Sequence, residues 1–186
     1  MVANGIDAIT KFKKLVTMGS ATGTEGEEYC IKISVDKDNK TLSVEDNGIG
    51  MTEEEVEKDI TQIAFSGASD FLAKYEKAGG DGIIGHFGLG FYSAYMVSGN
   101  VEIFTKSYDG SPAVHWQSDG NKTYTIEECD RAGRGPKIVM HILDEEKEFL
   151  EESKIRELVT KYCSFMPYNF YVNYKVDGKD KPLKHT

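Results

Sequence analysis

The sequence predicts an α+β fold, a two-layer sandwich in which a mixed and mostly antiparallel sheet carries helices on one face. Several short segments alternate apolar and polar residues, which is the pattern of strands with one buried face. Two longer segments, one near each end, place apolar residues at three- and four-residue steps, as amphipathic helices do. With 186 residues, the chain is long enough for one such domain with a sizeable core.

The composition is that of an ordinary globular protein, with 39% apolar and 28% charged residues. The formal net charge of −9 disfavours binding to nucleic acid through a general basic surface. No apolar run in the sequence approaches the roughly 20 residues that span a bilayer, so we expect no membrane association. Cys30, Cys129 and Cys163 lack metal-ligand spacing, and we expect reduced thiols in a cytoplasmic protein.

Residues 2–18 are predicted to form the first helix. Its apolar stripe consists of Ile6, Ile9, Phe12, Leu15 and Val16. Asn4, Asp7 and Lys11 share another face of this helix, at steps of three and four residues. Taken alone, this second pattern indicates a solvated polar face.

An antiparallel hairpin is predicted next, because residues 29–35 and 42–44 alternate around a polar turn. Its second strand runs into Asp46, which is followed by Gly48 and Gly50. A carboxylate at a strand end beside glycines can accept a hydrogen bond from a buried ligand amine. A simple Asp-Asn-Gly turn that closes the strand is the alternative.

A helix is predicted to begin at Thr52, whose side chain can cap it with Glu55 as the partner three residues on. Residues 66–85 then contain glycines around a short helical piece. We interpret this stretch as a mobile lid with glycine hinges, covering about residues 53–88. A disordered surface loop is the alternative.

Four glycines, Gly82, Gly85, Gly88 and Gly90, precede an apolar segment predicted as a helix over 91–98. Glycine allows close backbone approach, and a helix that opens there presents free N–H groups to an anion. The segment therefore predicts a phosphate cradle, with an ordinary flexible loop as the alternative. The glycine order differs from that of a dinucleotide fingerprint, and no lysine follows as in a P-loop.

The second half is predicted to contain four short strands in an antiparallel meander, with Trp116 in the core. The strands are 101–106, 113–117, 123–127 and 136–142.

A second long amphipathic helix is predicted over 144–165, and a last strand over 170–176. The apolar stripe of that helix consists of Leu150, Ile155, Leu158, Val159 and Tyr162. Residues 1–176 would then be one domain, and residues 177–186 the start of a linker.

Together these segments resemble the ATP-binding domain of the GHKL superfamily, the Bergerat fold. Within that superfamily they resemble the ninety-kilodalton heat-shock protein chaperones of the bacterial HtpG type. Residues 4–8 (NGIDA), 46–51 (DNGIGM) and 85–93 (GHFGLGFYS) look like the family's three motifs, in the right order. The runs FYSA at 91–94 and IAFSG at 63–67 favour the chaperone branch over gyrase B, MutL and sensor histidine kinases.

The resemblance implies a role for each motif. Asp46 would accept a hydrogen bond from the adenine amino group, and Asn4 would place its amide oxygen on a magnesium ion between the phosphates. Lys11 would stand at the pocket edge. The base and sugar would be lined by Asp7, Ala8, Ile49, Gly50, Met51 and Phe91. The phosphates would be held by the backbone N–H groups of Gly85, His86, Phe87, Gly88, Leu89, Gly90 and Phe91.

Some positions depart from the family pattern. The family's general-base glutamate would stand immediately before Met1, so no catalytic residue is assigned. We also expect the family's first strand and helix, which lie upstream of this position, to be lacking from residues 1–176. We therefore expect the 186-residue chain alone to bind nucleotide and to hydrolyse it negligibly. Pro136 replaces a threonine whose hydroxyl helps to hold the Asp46 network. Asp59 and Phe65 stand where the family often has Asn and Lys, and an acid there would weaken anion binding.

The function implied by the resemblance is ATP and Mg²⁺ binding in a stress-response chaperone that assists unfolded client proteins. Water would attack the γ-phosphate in the full-length protein. That protein would be a homodimer, and the present chain a monomer. Two alternatives stay open: an ATP-binding domain of a histidine kinase or other GHKL ATPase, and a truncated module without catalysis or without binding.

Overall fold

The computed structural model of the chain describes residues 1–65, 91, 93–121 and 123–183. The strands in this part of the chain are β1 (Cys30–Asp36), β2 (Thr41–Asp46), β3 (Ser98–Lys106), β4 (Val114–Ser118), β5 (Thr125–Glu128), β6 (Gly135–Ile142), β7 (Asn169–Val176) and β8 (Lys179–Leu183). They form one sheet in the order β5-β4-β3-β6-β2-β1-β7-β8. Strands β1 and β7 are parallel and the other neighbouring pairs are antiparallel, which confirms the predicted mixed and mostly antiparallel sheet.

One row of apolar side chains crosses seven strands of the sheet. Strand pairing places its members side by side, and they are Val172, Ile33, Val44, Ile138, Ile103, Trp116 and Ile126. Trp116 is fully buried, as predicted. Because side chains alternate between the two faces of a strand, this row and its neighbours give the sheet one apolar face.

The helices cover that face. They are α1 (Val2–Thr17), α2 (53–65) and α3 (Glu152–Cys163), with residues 93–97 also helical. Helix α2 joins an α-helical turn, Glu53–Glu55, a π-helical stretch, Val56–Ile60, and a second α-helical segment, Thr61–Phe65. Their buried side chains belong to the same apolar cluster as the strand residues, which confirms the two-layer arrangement.

The local signals for the predicted hairpin and the predicted cap are both confirmed. Strands β1 and β2 pair antiparallel around a polar turn. The backbone N–H of Glu55 donates to the Thr52 hydroxyl oxygen at 3.3 Å, so Thr52 caps α2. The helix predicted over 91–98 ends one residue earlier, because Ser98 begins β3. The part of the predicted lid beyond residue 65, and the glycine segment 82–90, lie outside the described residues.

The predicted four-strand meander is wrong in its last strand. Strands β3, β4 and β5 do form a meander, but β6 lies between β3 and β2. Three of its residues, Ile138, Met140 and Ile142, are buried in the core. Strand β5 has exposed polar residues and forms the edge of the sheet. A strand with an apolar face is better buried between two neighbours than beside this polar edge.

The single helix predicted over 144–165 is also wrong. Residues Asp144–Leu150 form a 3₁₀ helix, Glu151 is extended (φ −91°, ψ 133°), and α3 follows. On a continuous helix, Leu150 and Ile155 would point about 140° apart, at 3.6 residues per turn. The break lets both side chains reach the core. Tyr162, predicted in the apolar stripe, is 60% exposed.

The sheet continues to Leu183, beyond the domain boundary predicted after Val176. Strands β7 and β8 form an antiparallel hairpin whose turn residues, Asp177 and Gly178, both have positive φ (51° and 71°). This is the turn geometry that an Asp-Gly pair favours, so the sequence did contain the signal. Within the described ranges, no helix combines the length and apolar character that a membrane span requires.

Candidate functional site

A cavity of about 300 Å³ opens between α1 and the loop that follows β2. One side is formed by α1, which contributes Asn4, Asp7, Ala8 and Lys11. These residues recur at steps of three and four along a helix, so they fall on one face. The face that the sequence alone suggested to be merely solvated therefore borders a concave site.

The opposite side is formed by the end of β2 and the residues after it. Asp46, Ile49, Gly50 and Met51 line the cavity there, and Pro136 joins them from β6. Strand β6 pairs with β2, which is why Pro136 reaches a site 90 residues earlier in the chain. The accessible surface of the cavity is mostly apolar, and polar groups from α1 and from the end of β2 are set into it, as is typical of small-molecule sites.

Asp46 is the buried acid of the site, with only 7% of its surface exposed. Its Oδ1 accepts a hydrogen bond from the Gly48 N–H at 2.8 Å. Burial raises the pKa of Asp46 to about 7, although the Gly48 N–H and the positive charges of Arg131 and Arg134 lower it in part. A carboxylate has room for several hydrogen-bond donors, so Asp46 can accept a further hydrogen bond from a ligand in the cavity.

The loop after Asp46 is held in place by backbone hydrogen bonds. The Ile49 N–H donates to the Ala8 carbonyl at 3.2 Å, and the Tyr108 N–H donates to the Ile49 carbonyl at 3.0 Å. Gly50 has a φ of +68°, and a Cβ there would lie 1.9 Å from the Lys106 carbonyl oxygen. Only glycine fits this position, so the backbone shape of this part of the cavity wall depends on Gly50.

Charged side chains border the cavity on the side of α1 and α2. Lys11 forms an ion pair with Asp7 on the same helix face. Glu55 and Asp59 of α2 lie on the other side. Burial raises the pKa of Glu55, and the nearby carboxylates of Asp109 and Asp59 raise it further. The acidic groups outnumber Lys11 here, so this part of the site repels free anions.

The structure brings together most of the predicted site residues that it describes. Those lining the cavity are Asn4, Asp7, Ala8, Lys11, Asp46, Ile49, Gly50, Met51, Asp59 and Pro136. Phe91 does not line it, because its ring is fully buried and packs edge-on against Tyr95 and Trp116. The predicted phosphate-binding residues, Gly85, His86, Phe87, Gly88, Leu89 and Gly90, lie outside the described residues. The side chain of Phe65 also lies outside them.

The prediction missed other lining residues, namely Met1, Val44, Glu55, Ser107, Tyr108 and Ile138. Val44 and Ile138 face each other across β2 and β6. Their alternation was visible in the sequence, but their pairing was not. Ser107 and Tyr108 follow β3 directly, and no local signal marks them. For the described residues, no group of three or more His, Cys, Asp or Glu is arranged to hold a metal ion.

Residues 1–139 match a family model described as histidine kinase-, DNA gyrase B-, and HSP90-like ATPase. The chaperone protein HtpG of Bacteroides thetaiotaomicron is 49% identical over 181 residues, which cover 97% of this chain and 26% of that protein. The chaperone protein HtpG of Porphyromonas gingivalis is 47% identical over 189 residues, covering 100% and 27%. That of Fusobacterium nucleatum is 42% identical over 187 residues, covering 98% and 31%. The chain thus spans about a quarter to a third of the length of these relatives.

Proposed function

The chain belongs to the family of histidine kinase-, DNA gyrase B- and HSP90-like ATPases, and we propose that its cavity binds the adenine of ATP or ADP. The observation that carries the proposal is Asp46, a nearly buried carboxylate on the cavity wall. It would accept a hydrogen bond from the adenine amino group. The apolar side chains of Ile49, Met51 and Ile138 would contact the faces of the base.

Asn4 is proposed to hold the magnesium ion that accompanies the nucleotide. Its side chain lies on the cavity side of α1, beside Asp7. Amide and carboxylate oxygens suit this hard cation, which keeps several waters and is bound largely through substrate phosphates. The ion would neutralise phosphate charge near Asp7, Glu55 and Asp59. The backbone of residues 85–91 is proposed to hold the phosphates.

We propose that the longer protein hydrolyses ATP by attack of water on the γ-phosphate, where positioning and charge neutralisation supply most of the catalysis. For the 186-residue chain prepared alone we expect negligible turnover. A phosphate-release assay on the pure chain measures this. A steady rate that Asp46→Asn abolishes would contradict the expectation.

The longer protein is proposed to be an ATP-dependent chaperone that acts on unfolded client proteins as a cytoplasmic homodimer. The support is the similarity to three proteins named chaperone protein HtpG over nearly the whole chain. These relatives favour a chaperone over the histidine-kinase alternative. The free thiols of Cys30, Cys129 and Cys163 agree with a reducing compartment. The chain alone is expected to be monomeric, which light scattering can test.

Calorimetric titration with ADP and Mg²⁺ tests the binding proposal. Wild type is compared with Asp46→Asn and with Asp144→Asn, a control carboxylate exposed on the 3₁₀ helix. We expect wild type and the control to bind alike. Asp46→Asn should lose about tenfold or more in affinity, because an amide NH₂ would face the adenine amino group and leave it unpaired. Equal binding by all three proteins would contradict the proposal.

A further inference from the structure

Arg134 lies behind the cavity wall, in the segment between β5 and β6, and does not line the cavity. Its Nε donates a hydrogen bond to the Gly48 carbonyl at 2.9 Å, and its Nη2 donates to the Asn47 carbonyl at 2.7 Å. The two carbonyls belong to the residues that directly follow Asp46. One guanidinium therefore holds the turn that orients the buried carboxylate.

The same guanidinium also contacts α1. Its central carbon lies 3.5 Å from the centre of the Phe12 ring, within cation–π distance. Phe12 is one helical turn after Ala8, and it is buried. Arg134 thus touches both elements that form the cavity, the helix that bears Asn4 and Ala8 and the loop that follows Asp46.

Arg134 is itself held in place. Its Nη2 donates to Glu27 Oε1 at 2.7 Å, and the two side chains are only 15% and 18% exposed. Glu27 Oε1 also accepts a hydrogen bond from the Asn47 side chain at 3.4 Å. A charged pair with this little solvent exposure has a defined geometry, because an unpaired charge there would be costly.

The residue after Arg134 approaches Asp46 directly. Gly135 has a φ of +96°, and a Cβ there would lie 2.2 Å from the Asp46 carbonyl oxygen. Residues 134 and 135 therefore touch Asp46, Asn47 and Gly48 in succession. Arg131 supports the same region from outside: it donates hydrogen bonds to the Glu45 carboxylate and to the Gly135 carbonyl, and neither of these bonds reaches α1.

We propose that Arg134 is a positioning residue for adenine recognition: its guanidinium fixes the distance between α1 and the Asp46 loop, and so holds the Asp46 carboxylate where the adenine amino group must bind. The inference rests on the proposed function. The positioning role requires a planar group with several hydrogen-bond donors, which arginine has and lysine lacks. Lysine at this position keeps the positive charge but cannot bond both carbonyls and Glu27 in the same geometry.

The test compares the affinity of the 186-residue chain for adenosine with that for purine riboside, which lacks the amino group. Both probes avoid the phosphates. Wild type should prefer adenosine by about tenfold or more, the value of a hydrogen bond to a charged group. In Arg134→Lys this preference should fall below about threefold, while it stays unchanged in Arg156→Gln, which loses an exposed ion pair on α3.

The ratio of the affinities for adenosine and purine riboside distinguishes an effect on the position of Asp46 from an effect on the stability of the fold. A variant that is merely less stable has a smaller folded fraction, which weakens both ligands by the same factor. If Arg134→Lys does not fold, Glu27→Gln is used in its place, because it removes the charge partner and leaves the arginine. It should lower the preference at least about threefold, since it loosens a charge-assisted hydrogen bond.

The outcomes are distinct. An intact preference in folded Arg134→Lys, or in Glu27→Gln where the first variant does not fold, overturns the positioning role and leaves the proposed function standing. No preference for adenosine in wild type contradicts adenine recognition by Asp46, and the positioning role falls with it.

Discussion

The Asp46 carboxylate accepts a hydrogen bond from the backbone N–H of Gly48 at 2.8 Å. This bond closes a turn at the end of β2, and it uses one acceptor position of a side chain that lines the cavity. Burial disfavours the ionised form of this side chain, whereas the Gly48 N–H favours it. The protonation of Asp46 therefore links the stability of the fold to ligand binding.

The pH dependence of stability is the first consequence. The pKa of Asp46 is raised to about 7 in the folded chain from an ordinary value of 3.8, so between these values the folded state binds the proton more tightly than the unfolded state. The contribution of Asp46 to the free energy of unfolding must then fall as pH rises from about 4 to 7, and stay constant above. The variant Asp46→Asn has no ionisable group at this position, so its free energy of unfolding lacks this decrease.

Urea unfolding of both proteins at several pH values measures the difference. We expect Asp46→Asn to gain stability relative to wild type as pH rises from about 4 to 7, by up to a few kcal/mol, and the difference to level off above that. Carboxylates with lowered pKa, such as Asp36 and Asp144, titrate equally in both proteins, so their contributions cancel in the difference in free energy of unfolding. A difference in stability that does not change with pH would contradict the burial of an ionisable Asp46.

The affinity for adenosine should also depend on pH, in the opposite direction. The ionised carboxylate is the better acceptor for an amino group, so affinity should rise with pH and level off above about 7. Below that pH it should fall by up to about tenfold per pH unit, the limit if only the ionised form binds. Adenosine is the suitable ligand because it has no phosphate to titrate. Affinity that falls as pH rises would contradict the assignment.

Gly50→Ala should destabilise the fold and abolish ADP binding. The added Cβ would meet the Lys106 carbonyl oxygen at 1.9 Å, and the residue must keep a φ of +68°. Gly26→Ala is the matched control, because Gly26 has a similar φ of +76° but nothing near its Cβ position. The control should lower the free energy of unfolding by about 1 kcal/mol from backbone strain alone, and Gly50→Ala should lower it clearly more. Equal costs in urea unfolding would show that the loop is free to move.

Asp59→Asn should strengthen the binding of ADP, because it removes a negative charge from the cavity lining. We expect about a two- to fivefold gain at low ionic strength, and a smaller gain as salt screens the charge. Adenosine is the control ligand, since it has no phosphate for Asp59 to repel. An equal gain for ADP and adenosine would indicate a change of cavity shape rather than of charge.

The fold was predictable where the signal is local. Alternation around a polar turn gave the hairpin of β1 and β2, and the Thr52 hydroxyl gave the start of α2. The position of β6 was not predictable from its own residues, because it depends on which other strands have an apolar face and can pair with it. The break at Glu151 likewise reflects the need of Leu150 and Ile155 to reach one core.

The site was predictable along each element and not between elements. Helical spacing placed Asn4, Asp7 and Lys11 on one face, and the strand end marked Asp46. Tyr108 and Ile138 enter the cavity through sheet pairing and loop contacts that no local pattern records. Arg134 was missed for the same reason, since its contacts lie 86 residues or more away in the chain.

A crystal structure of the chain with ADP and Mg²⁺ tests the central claim most directly. The quantity of interest is the distance between the adenine amino nitrogen and the nearer carboxylate oxygen of Asp46. We predict about 3 Å, a normal hydrogen bond, with the base between α1 and the Asp46 loop. A base bound elsewhere, or one in this cavity whose amino group does not face Asp46, would contradict the account.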